Sequence, residues 1–278
     1  MKCIVLAALL LGLSAPGEVG AQVVISAEGV VASSTVGGQP QFNPLPSKDP
    51  SLSSLDAATT TLRVLPADQA MARFQLRSTT QSVEMVSHSA ISVIRAELPD
   101  TSQRGEYEVQ KTFIAPRTLR FKPIRFVGDT FVKLNIIARL LQSEVDHMSK
   151  DDVAQTAISA ANYRVSYKGE IDIRNHPVHV FQVKPHKKRP GLFKGRIYLD
   201  AHTGTLLRAE GRIVKSPSHF VKHVEFVEDY ADIDSFTLPV HIHSEARAFL
   251  VGRVIIDITH FYYQPVPPEI EALLLKLP

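Results

Sequence analysis

Histidine and acidic side chains alternate with apolar ones near the C-terminal end of this 278-residue chain. His241, His243 and Glu245 fall at every second position, which places them on one face of a β-strand. The apolar residues that share the other face are Phe236, Leu238, Val240 and Ile242. If a tight turn joins this strand to the preceding one, His243 lies opposite His223 and His241 opposite Glu225. Imidazole and carboxylate groups within ~5 Å of one another are ligands that zinc accepts.

The metal hypothesis depends on the register of these two strands, because a slip of one residue moves every side chain to the other face. A turn centred near Ile233 would bring three candidate metal ligands together: His223, His241 and His243. The alternative is that these histidines are polar residues on the solvent face of a two-sided sheet. We follow this alternative and predict no metal and no other cofactor.

Known catalytic motifs are absent from the sequence, which has no Gly-x-Ser-x-Gly elbow, no phosphate-binding Gly-rich loop, no dinucleotide-binding fingerprint and no His-Glu-x-x-His. Asp and Glu residues are scattered, and no pair has a spacing that marks an acid and a base. Tryptophan is also missing, which argues against a site that stacks bases or sugars on aromatic rings. We therefore predict no enzymatic activity.

Period-2 alternation of apolar and polar residues is the main structural signal, and it is clearest between Val178 and Ile213. The predicted strands are Ser82–Leu98, Glu106–Ala115, Leu119–Val127, Tyr163–Gly169, Val178–Lys184, Lys194–Asp200, Thr205–Val214, Ser218–Glu228, Phe236–Arg247 and Gly252–Tyr263. Sheets of about ten strands rarely stay flat. The sequence therefore predicts a mainly β (α+β) fold, in which an open, strongly curved antiparallel sheet forms a half-barrel with a helical lid.

Helical spacing interrupts this pattern between Asp129 and Met148. Apolar residues recur there every three or four positions and form one stripe of an amphipathic helix: Phe131, Leu134, Ile137, Leu141 and Val145. A second helical segment is predicted between Asp56 and Leu76, with an interruption at Pro66. The stripe must face the concave side of the sheet, either as a plain core element or as a gate over a cavity.

The N-terminus has the pattern of a secretory signal peptide. Lys2 precedes an apolar run from Cys3 to Leu13, and small residues precede a cleavage point after Ala21. The predicted organisation is a signal peptide at 1–21, a poorly ordered lead-in at 22–55 and a single domain at 56–278. Because Cys3 is the chain's one cysteine, the exported protein would have neither disulfides nor thiol chemistry.

The charge balance gives no general attraction to nucleic acid, since 31 Lys and Arg face 28 Asp and Glu. Basic residues do concentrate around one Pro-Gly turn, at Lys187, Lys188 and Arg189. The simple interpretation is a solvated hairpin tip. The functional one is contact with an anionic membrane surface or lipid head group.

Several strand-and-turn segments resemble the LolA-like family of periplasmic proteins that sort outer-membrane lipoproteins. The matching segments are Val180-Phe-Gln-Val-Lys-Pro, Gly191-Leu-Phe-Lys-Gly-Arg-Ile-Tyr-Leu-Asp-Ala, Arg208-Ala-Glu-Gly, Lys215-Ser-Pro-Ser-His-Phe-Val-Lys and Leu238-Pro-Val. The similarity extends over roughly Arg77 to Tyr263 and is clearest from Tyr163 onward. The resemblance implies an open antiparallel half-barrel that is covered by helices and encloses an apolar cavity for acyl chains. In that case the stripe residues of the lid would contact the lipid.

Three hypotheses follow for the function. The first is a periplasmic binding protein that shelters the acyl chains of a lipid or lipoprotein. The second is a structural or scaffold component of the cell envelope with a filled core, and the third is a metal-dependent enzyme. The sequence does not separate the first two, because inward-facing apolar residues have the same pattern whether they touch each other or a ligand.

Overall fold

A computed structural model of the protein describes residues 63–150, 153–173, 175–216 and 221–276. The predicted signal peptide and the lead-in at 22–55 lie outside these residues. The described secondary structure belongs to one compact unit, which includes Val64–Pro278. None of its described helices combines the length and the hydropathy that a membrane-spanning helix needs.

Ten antiparallel strands form one open sheet, as the sequence predicted. The strands are β1 (His88–Leu98), β2 (Gln103–Ile114), β3 (Thr118–Gly128), β4 (Tyr163–Asp172), β5 (Pro177–Pro185), β6 (Phe193–Asp200), β7 (Leu206–Ile213), β8 (Val221–Ile233), β9 (Phe236–Ala248) and β10 (Gly252–Pro265). Their order in the sheet is β3-β2-β1-β10-β9-β8-β7-β6-β5-β4. β3 and β4 are therefore the two edges, and the sheet does not close on itself.

Helical segments cover one face of this sheet. α1 (Ala67–Glu84) precedes β1, and α2 (Thr130–Val132), a π-helical turn (Lys133–Ile137) and α3 (Ala138–Lys150) follow one another between β3 and β4. We call the last three segments together the lid helix. Because the lid helix connects the two edge strands, the chain must cross the face of the sheet there. A 3₁₀-helical turn (Pro99–Thr101) and two short helices, α4 (Val153–Thr156) and α5 (Pro268–Lys276), complete the described elements.

The boundary between α1 and β1 differs from the predicted one. The sequence predicted a strand from Ser82 onward, but 82–84 form the last turn of α1. The buried Gln81 explains the longer helix, because its amide donates to the Thr237 carbonyl at 2.9 Å and accepts from the Thr237 N–H at 3.0 Å. This exchange with β9 fixes the final turn of α1 against the sheet. The strand begins only at His88.

Glycines and bulges bend the sheet between β6 and β7. Gly195 lies opposite Gly211, and a Cβ on Gly195 would stand 1.8 Å from the Glu210 carbonyl oxygen. Only glycine allows the two backbones to approach this closely, and such positions mark tight bends in curved sheets. Bulges interrupt five of the nine strand pairings of the described residues. Bulges increase twist and bending, so they account for the curvature.

A continuous apolar core lies between the inner face of the sheet and the covering helices. Phe74 of α1 and Ile137 of the lid helix are buried in it, together with Ile94, Ile197 and Ile256 of the sheet. The start of α1 is held at the rim, where the Leu65 N–H donates to the Ala201 carbonyl at 2.7 Å. The inner face of the sheet and the lid helix therefore define the space in which a ligand site was predicted.

Candidate functional site

The lid helix divides the predicted stripe into a buried and an exposed part. Ile137 and Leu141 are 0% and 3% exposed, and Val145 is half-buried. Phe131 and Leu134, by contrast, are 40% and 50% exposed. The helix therefore presents three of the five predicted residues towards the core, while the two N-terminal ones face away from it.

The π-helical turn at 133–137 explains this division. The Ala138 N–H bonds to the Lys133 carbonyl five residues earlier, so this turn holds one residue more than an α-helical turn. The extra residue rotates the segment before it relative to α3. As a result, Val132 and Ile136 take the inward positions in place of Phe131 and Leu134. Apolar periodicity alone does not reveal such an insertion, since the residues around it remain apolar in either arrangement.

A buried ion pair joins the lid helix to the sheet. The Lys111 ammonium of β2 lies 2.7 Å from the Glu144 carboxylate of α3, and both side chains are largely buried. The Lys111 ammonium also stands 5.9 Å from the centre of the Phe121 ring. Burial raises the pKa of Glu144, although the Lys111 charge acts to lower it. A charged contact thus fastens the lid in the middle of an apolar interface.

Glu228 is a second acidic group in the same interior. It lies on β8, is almost fully buried, and one of its carboxyl oxygens, Oε1, has no hydrogen-bond partner among the described residues. Burial raises the pKa of Glu228 to about 8, although the Tyr230 hydroxyl and the Lys111 charge act in the opposite direction. The Glu144 charge adds to the increase. Glu228 therefore holds a proton at neutral pH.

His260 completes the polar group under the lid. Its Nδ1 lies 2.7 Å from the Ser92 hydroxyl, on neighbouring inward positions of β10 and β1, and both residues are buried. Its Nε2 has no partner among the described residues. Burial and the Lys111 charge lower the pKa of His260 well below its ordinary value. The imidazole is therefore neutral. We call Lys111, Glu144, Glu228 and His260 the interior polar cluster.

Polar residues at two predicted core positions indicate this cluster in the sequence, although the alternation of apolar residues does not. Lys111 follows Tyr107 and Val109 at an inward position of β2, where an apolar residue is expected. Glu144 likewise follows Leu140 and Leu141 by four and three residues and lies on the apolar face of α3. Polar residues at core positions were the available indication, but only the fold shows that two of them meet.

His241 and His243 lie on the outer face of the sheet, and the predicted meeting of His223 with His243 is wrong. His243 lies opposite Val227, and His241 lies opposite Asp229. The β8–β9 turn is centred on Asp234 and Ser235 rather than near Ile233, and two bulges shift the register further. His223 has a φ of 54° within one of these bulges and is out of line with the other two histidines.

Carboxylates surround the two remaining histidines. His243 Nδ1 lies 2.8 Å from Asp257 on β10, and His241 approaches both Asp229 and Asp257 at 3.7 Å. Burial alone would lower the pKa of His243, but the hydrogen bond to Asp257 and the neighbouring Glu245 raise it. Within the described part of the chain, no group of three or more His, Cys, Asp or Glu side chains could hold a metal ion. The arrangement is a ladder of ion pairs on a solvated face.

The basic turn between β5 and β6 is partly tied to the fold. Lys187 and Lys188 are exposed. The Arg189 guanidinium instead donates to the Asn162 side-chain oxygen at 2.6 Å and to the Gln155 carbonyl at 3.3 Å. Two of the three predicted membrane-contacting residues are therefore free to meet a surface, while Arg189 holds the turn against the chain before β4.

The clefts of the described surface include two that lie away from the lid helix. The larger has a volume of about 530 Å³ and is lined mainly by polar side chains of the outer face, among them Lys194, Arg196, Glu210, Arg212, Glu225 and His243. The smaller, about 270 Å³, lies beside the end of β7 and the start of β8. In this conformation the lid helix is closed on the sheet.

No protein-family profile matches the sequence, and no curated protein is similar to it. Solved structures with a similar chain trace include a DUF1329 family protein from Desulfovibrio piger ATCC 29098, which is 12% identical over 71% of this chain and 93% of its own, with a TM-score of 0.37. The LolA superfamily protein NE2245 from Nitrosomonas europaea is 12% identical over 72% of this chain and 96% of its own, with a TM-score of 0.35.

A third similar structure is a domain from Vibrio parahaemolyticus that is named for outer membrane lipoprotein sorting. It is 11% identical over 76% of this chain and 99% of its own, with a TM-score of 0.38. At this distance the likenesses specify neither a ligand nor a partner for the chain.

Proposed function

We propose that the chain is an exported carrier that shelters the acyl chains of a lipid or lipoprotein between the curved sheet and the lid helix. Ligand would enter as the lid helix lifts from the inner face of the sheet. Ile137, Leu141 and Val145 would then contact acyl chains from the lid side. Phe131 and Leu134, which are exposed when the lid is closed, would form the apolar entrance.

The interior polar cluster is the observation that supports an opening lid. A buried ion pair is often no more stabilising than well-packed apolar residues of similar volume, because both charges must be desolvated. A lid that never opened would gain from an apolar pair in place of Lys111 and Glu144. A lid that opens returns both charges, and the unpartnered oxygen of Glu228, to water or to a ligand. The cluster therefore favours a carrier over a permanently filled core.

The π-helical turn supplies a point about which the lid can move. π-helical turns inside α-helices are frequent at functional sites. This one lies near the N-terminal end of the lid helix, where it follows the single turn of α2. Motion there would swing α3, which carries Leu141 and Glu144, away from the sheet.

The binding energy would come from burial. Each CH₂ group moved from water into an apolar groove contributes ~0.8 kcal/mol, so one long acyl chain is sufficient for micromolar affinity after the ordering costs. Lys111 would be released from Glu144 when the lid opens. Its ammonium would then be a cation inside an apolar groove, suited to a carboxylate or phosphate of the incoming lipid.

A scaffold with a filled core is the second candidate, and one observation favours it. The inward residues of the lid helix are closely covered, with Ile136, Ile137 and Leu140 at 1%, 0% and 1% exposure. A protein in this state needs no ligand to satisfy its apolar surface. The two candidates predict different results when an acyl chain is added: a carrier binds it, and a filled scaffold does not.

Export to the periplasm with cleavage after Ala21 is part of the proposal, since the lipids and lipoproteins of the envelope are met there. The support is the basic start, the apolar run and the small residues before the cleavage point. We also propose that Lys187 and Lys188 contact an anionic membrane surface, with Arg189 fixing the turn that carries them. Their exposure next to one another supports this contact.

The test is a titration of the mature protein with a fluorescent fatty acid, comparing wild type with Lys111→Met/Glu144→Leu. This pair of substitutions keeps the volume under the lid and removes both charges. We expect saturable micromolar binding by the wild type and clearly weaker binding by the double variant. The double variant should be as stable as the wild type or more so, whereas Lys111→Met alone should lose about 3–5 kcal/mol by leaving Glu144 unpaired.

The stability measurement separates a folding defect from a binding defect. Weaker binding by a double variant that unfolds at the same urea concentration as the wild type supports the carrier. A folded wild type that binds no fatty acid and no lipopeptide would exclude the carrier and leave the scaffold. Equal binding by the wild type and the double variant would show that the interior polar cluster has no part in lid opening.

A further inference from the structure

The turn between β9 and β10 exposes two adjacent large apolar side chains. Phe249 is 82% exposed and Leu250 is 65% exposed, and the chain reverses direction between Ala248 and Gly252. Gly252 has a φ of 73°, and the N–H of the following Arg253 donates to the Asp100 carboxylate at 3.0 Å. The turn is therefore fixed at its base while its tip faces solvent. The greater part of both side chains therefore faces solvent in the described part of the chain.

A row of cations lies directly behind this tip. Arg247 on β9 is paired in register with Lys222 on β8 and with Arg253 on β10, and all three are exposed. Like charges opposite one another across strands are destabilising. Within the described residues, Arg253 is the member of the row with an acidic partner, Glu245 at 2.8 Å. An anionic surface outside the protein would compensate the other two.

Further lysines lie along the same rim of the sheet. Alternate turns of an antiparallel meander lie at the same edge, so the β5–β6, β7–β8 and β9–β10 turns share one rim. Lys187 and Lys188 belong to the first of these turns and Lys215 to the second, and all three are exposed. We call Lys187, Lys188, Lys215, Lys222, Arg247 and Arg253 the basic rim.

We propose that the β9–β10 turn is a membrane-docking element, in which Phe249 and Leu250 enter the interface of an anionic phospholipid bilayer and the basic rim contacts its head groups. Aromatic and aliphatic side chains next to basic ones are the combination that holds proteins at a lipid interface. A two-residue apolar tip without a groove is small for a stable protein–protein interface, which buries about 800 Å² on each partner. A bilayer needs no such area, because each exposed apolar residue inserts by itself.

This site does not depend on an acyl cavity under the lid. A carrier would use it to meet the membrane that supplies or receives the lipid, and a scaffold would use it to stay at a membrane surface. The docking element and the lid are distinct parts of the chain. Each can therefore be changed without the other.

The test is co-sedimentation of the mature protein with vesicles of phosphatidylcholine, alone or mixed with phosphatidylglycerol. We expect wild type to bind the mixed vesicles at least about tenfold more tightly than the neutral ones. Phe249→Ser/Leu250→Ser should weaken binding to the mixed vesicles by about tenfold or more. Lys222→Gln/Arg247→Gln should weaken it by about fivefold for each charge at low salt, and less at high salt.

Matched controls are available at the opposite rim and on an edge strand. Val83 is 81% exposed at the end of α1, so Val83→Ser removes an equally exposed apolar side chain away from the docking turn. Lys122 is exposed on β3, so Lys122→Gln removes a charge elsewhere. Neither should change vesicle binding. The controls and Phe249→Ser/Leu250→Ser should keep the thermal midpoint of the wild type because the changed side chains are exposed, and Lys222→Gln/Arg247→Gln should keep it or raise it slightly because it relieves the repulsion between strands.

We expect the substitutions in the docking turn to change vesicle binding but not fatty-acid binding. Phe249→Ser/Leu250→Ser should bind a fluorescent fatty acid as the wild type does. A wild type that binds neither kind of vesicle, or a Phe249→Ser/Leu250→Ser variant that binds mixed vesicles unchanged, would overturn the docking element. Capture of a protein through this turn, without any vesicle binding, would overturn it equally.

Discussion

At the scale of residues, four buried ionisable side chains bear on whether the core is permanently filled or is covered by a lid that opens. Lys111, Glu144, Glu228 and His260 lie where apolar residues would pack at lower cost in desolvation. Burial sets the protonation states of two of them: Glu228 is protonated at neutral pH, and the His260 imidazole carries a single proton and is neutral. The cluster thus contains fewer charged groups than its four ionisable side chains could supply, which lowers the cost of burying it.

Glu228 makes the stability of the fold depend on pH in a direction that can be predicted. Its pKa rises from 4.5 to about 8 on folding because the carboxyl is buried. Between these two values the folded protein holds a proton that the unfolded chain has lost, so the free energy of unfolding falls as pH rises. The expected slope is about 1.4 kcal/mol per pH unit. The stabilising contribution of Glu228 is therefore complete only below its unfolded-state pKa of 4.5.

Glu228→Gln should remove this slope, since the amide has the same shape and does not titrate. Urea unfolding of wild type and variant between about pH 5 and pH 8 measures the difference. The matched control is Glu84→Gln, an exposed position at the end of α1 that should leave the wild-type slope unchanged. Parallel stability curves for wild type and Glu228→Gln would contradict a buried, protonated Glu228.

At the scale of elements, the lid helix offers a comparison between two leucines of one stripe. Leu141 is 3% exposed and Leu134 is 50% exposed, although both were predicted to face the sheet. Leu141→Gln should cost about 1–3 kcal/mol, because its amide would be buried without a partner. Leu134→Gln should change the free energy of unfolding by less than about 0.5 kcal/mol. Urea denaturation of both variants checks the pair.

Lipid binding adds a second measurement to the same variants. In a carrier, Leu141→Gln should reduce the affinity for a fluorescent fatty acid sharply, because a polar group would face the acyl chain. In a filled scaffold, the same variant loses stability and has no binding to lose. A large loss of stability in Leu134→Gln would show that the π-helical turn does not rotate the start of the lid outward.

The sequence predicted the strands well because alternation is a local signal that survives in every half-buried strand. The ten predicted strands correspond one to one with β1–β10, most of them within a few residues at each end. The exception, the start of β1, depended on Gln81 meeting the backbone of Thr237 from the far side of the chain. A local sequence pattern does not indicate contacts between residues that lie this far apart along the chain.

The register of β8 and β9 could not be predicted for a related reason. Each of two bulges adds unpaired residues, and a small error in the turn position is carried along both strands. His241 and His243 were correctly assigned to one polar face, but their neighbours are Asp229 and Asp257 instead of His223. Alternation predicts which face of the sheet a side chain occupies, but its cross-strand neighbours depend on where the bulges lie.

At the scale of the whole molecule, two surfaces meet the environment in different ways. The inner face of the sheet is covered by the lid helix and contains the interior polar cluster, while the basic rim and the β9–β10 tip are open to solvent. The two ends of the lid helix lie at the same rim, because the Asp129 N–H bonds to the Arg104 carbonyl beside the β1–β2 turn and Arg189 of the β5–β6 turn donates to the Gln155 carbonyl. Docking at the rim would therefore bring the lid helix close to the membrane surface.

The proposed export would place this arrangement in the compartment where membrane lipids are exchanged. The basic residue Lys2, the apolar run from Cys3 to Leu13 and the small residues before position 22 predict cleavage after Ala21. Protein recovered from the periplasm should therefore begin at Gln22, and its intact mass should correspond to a chain without cysteine. Ala21→Asp should block cleavage and leave the longer precursor, because the cleavage site requires small residues. Recovery of the wild-type chain from the cytoplasm with Met1 in place would contradict export, and with it the proposed carrier role.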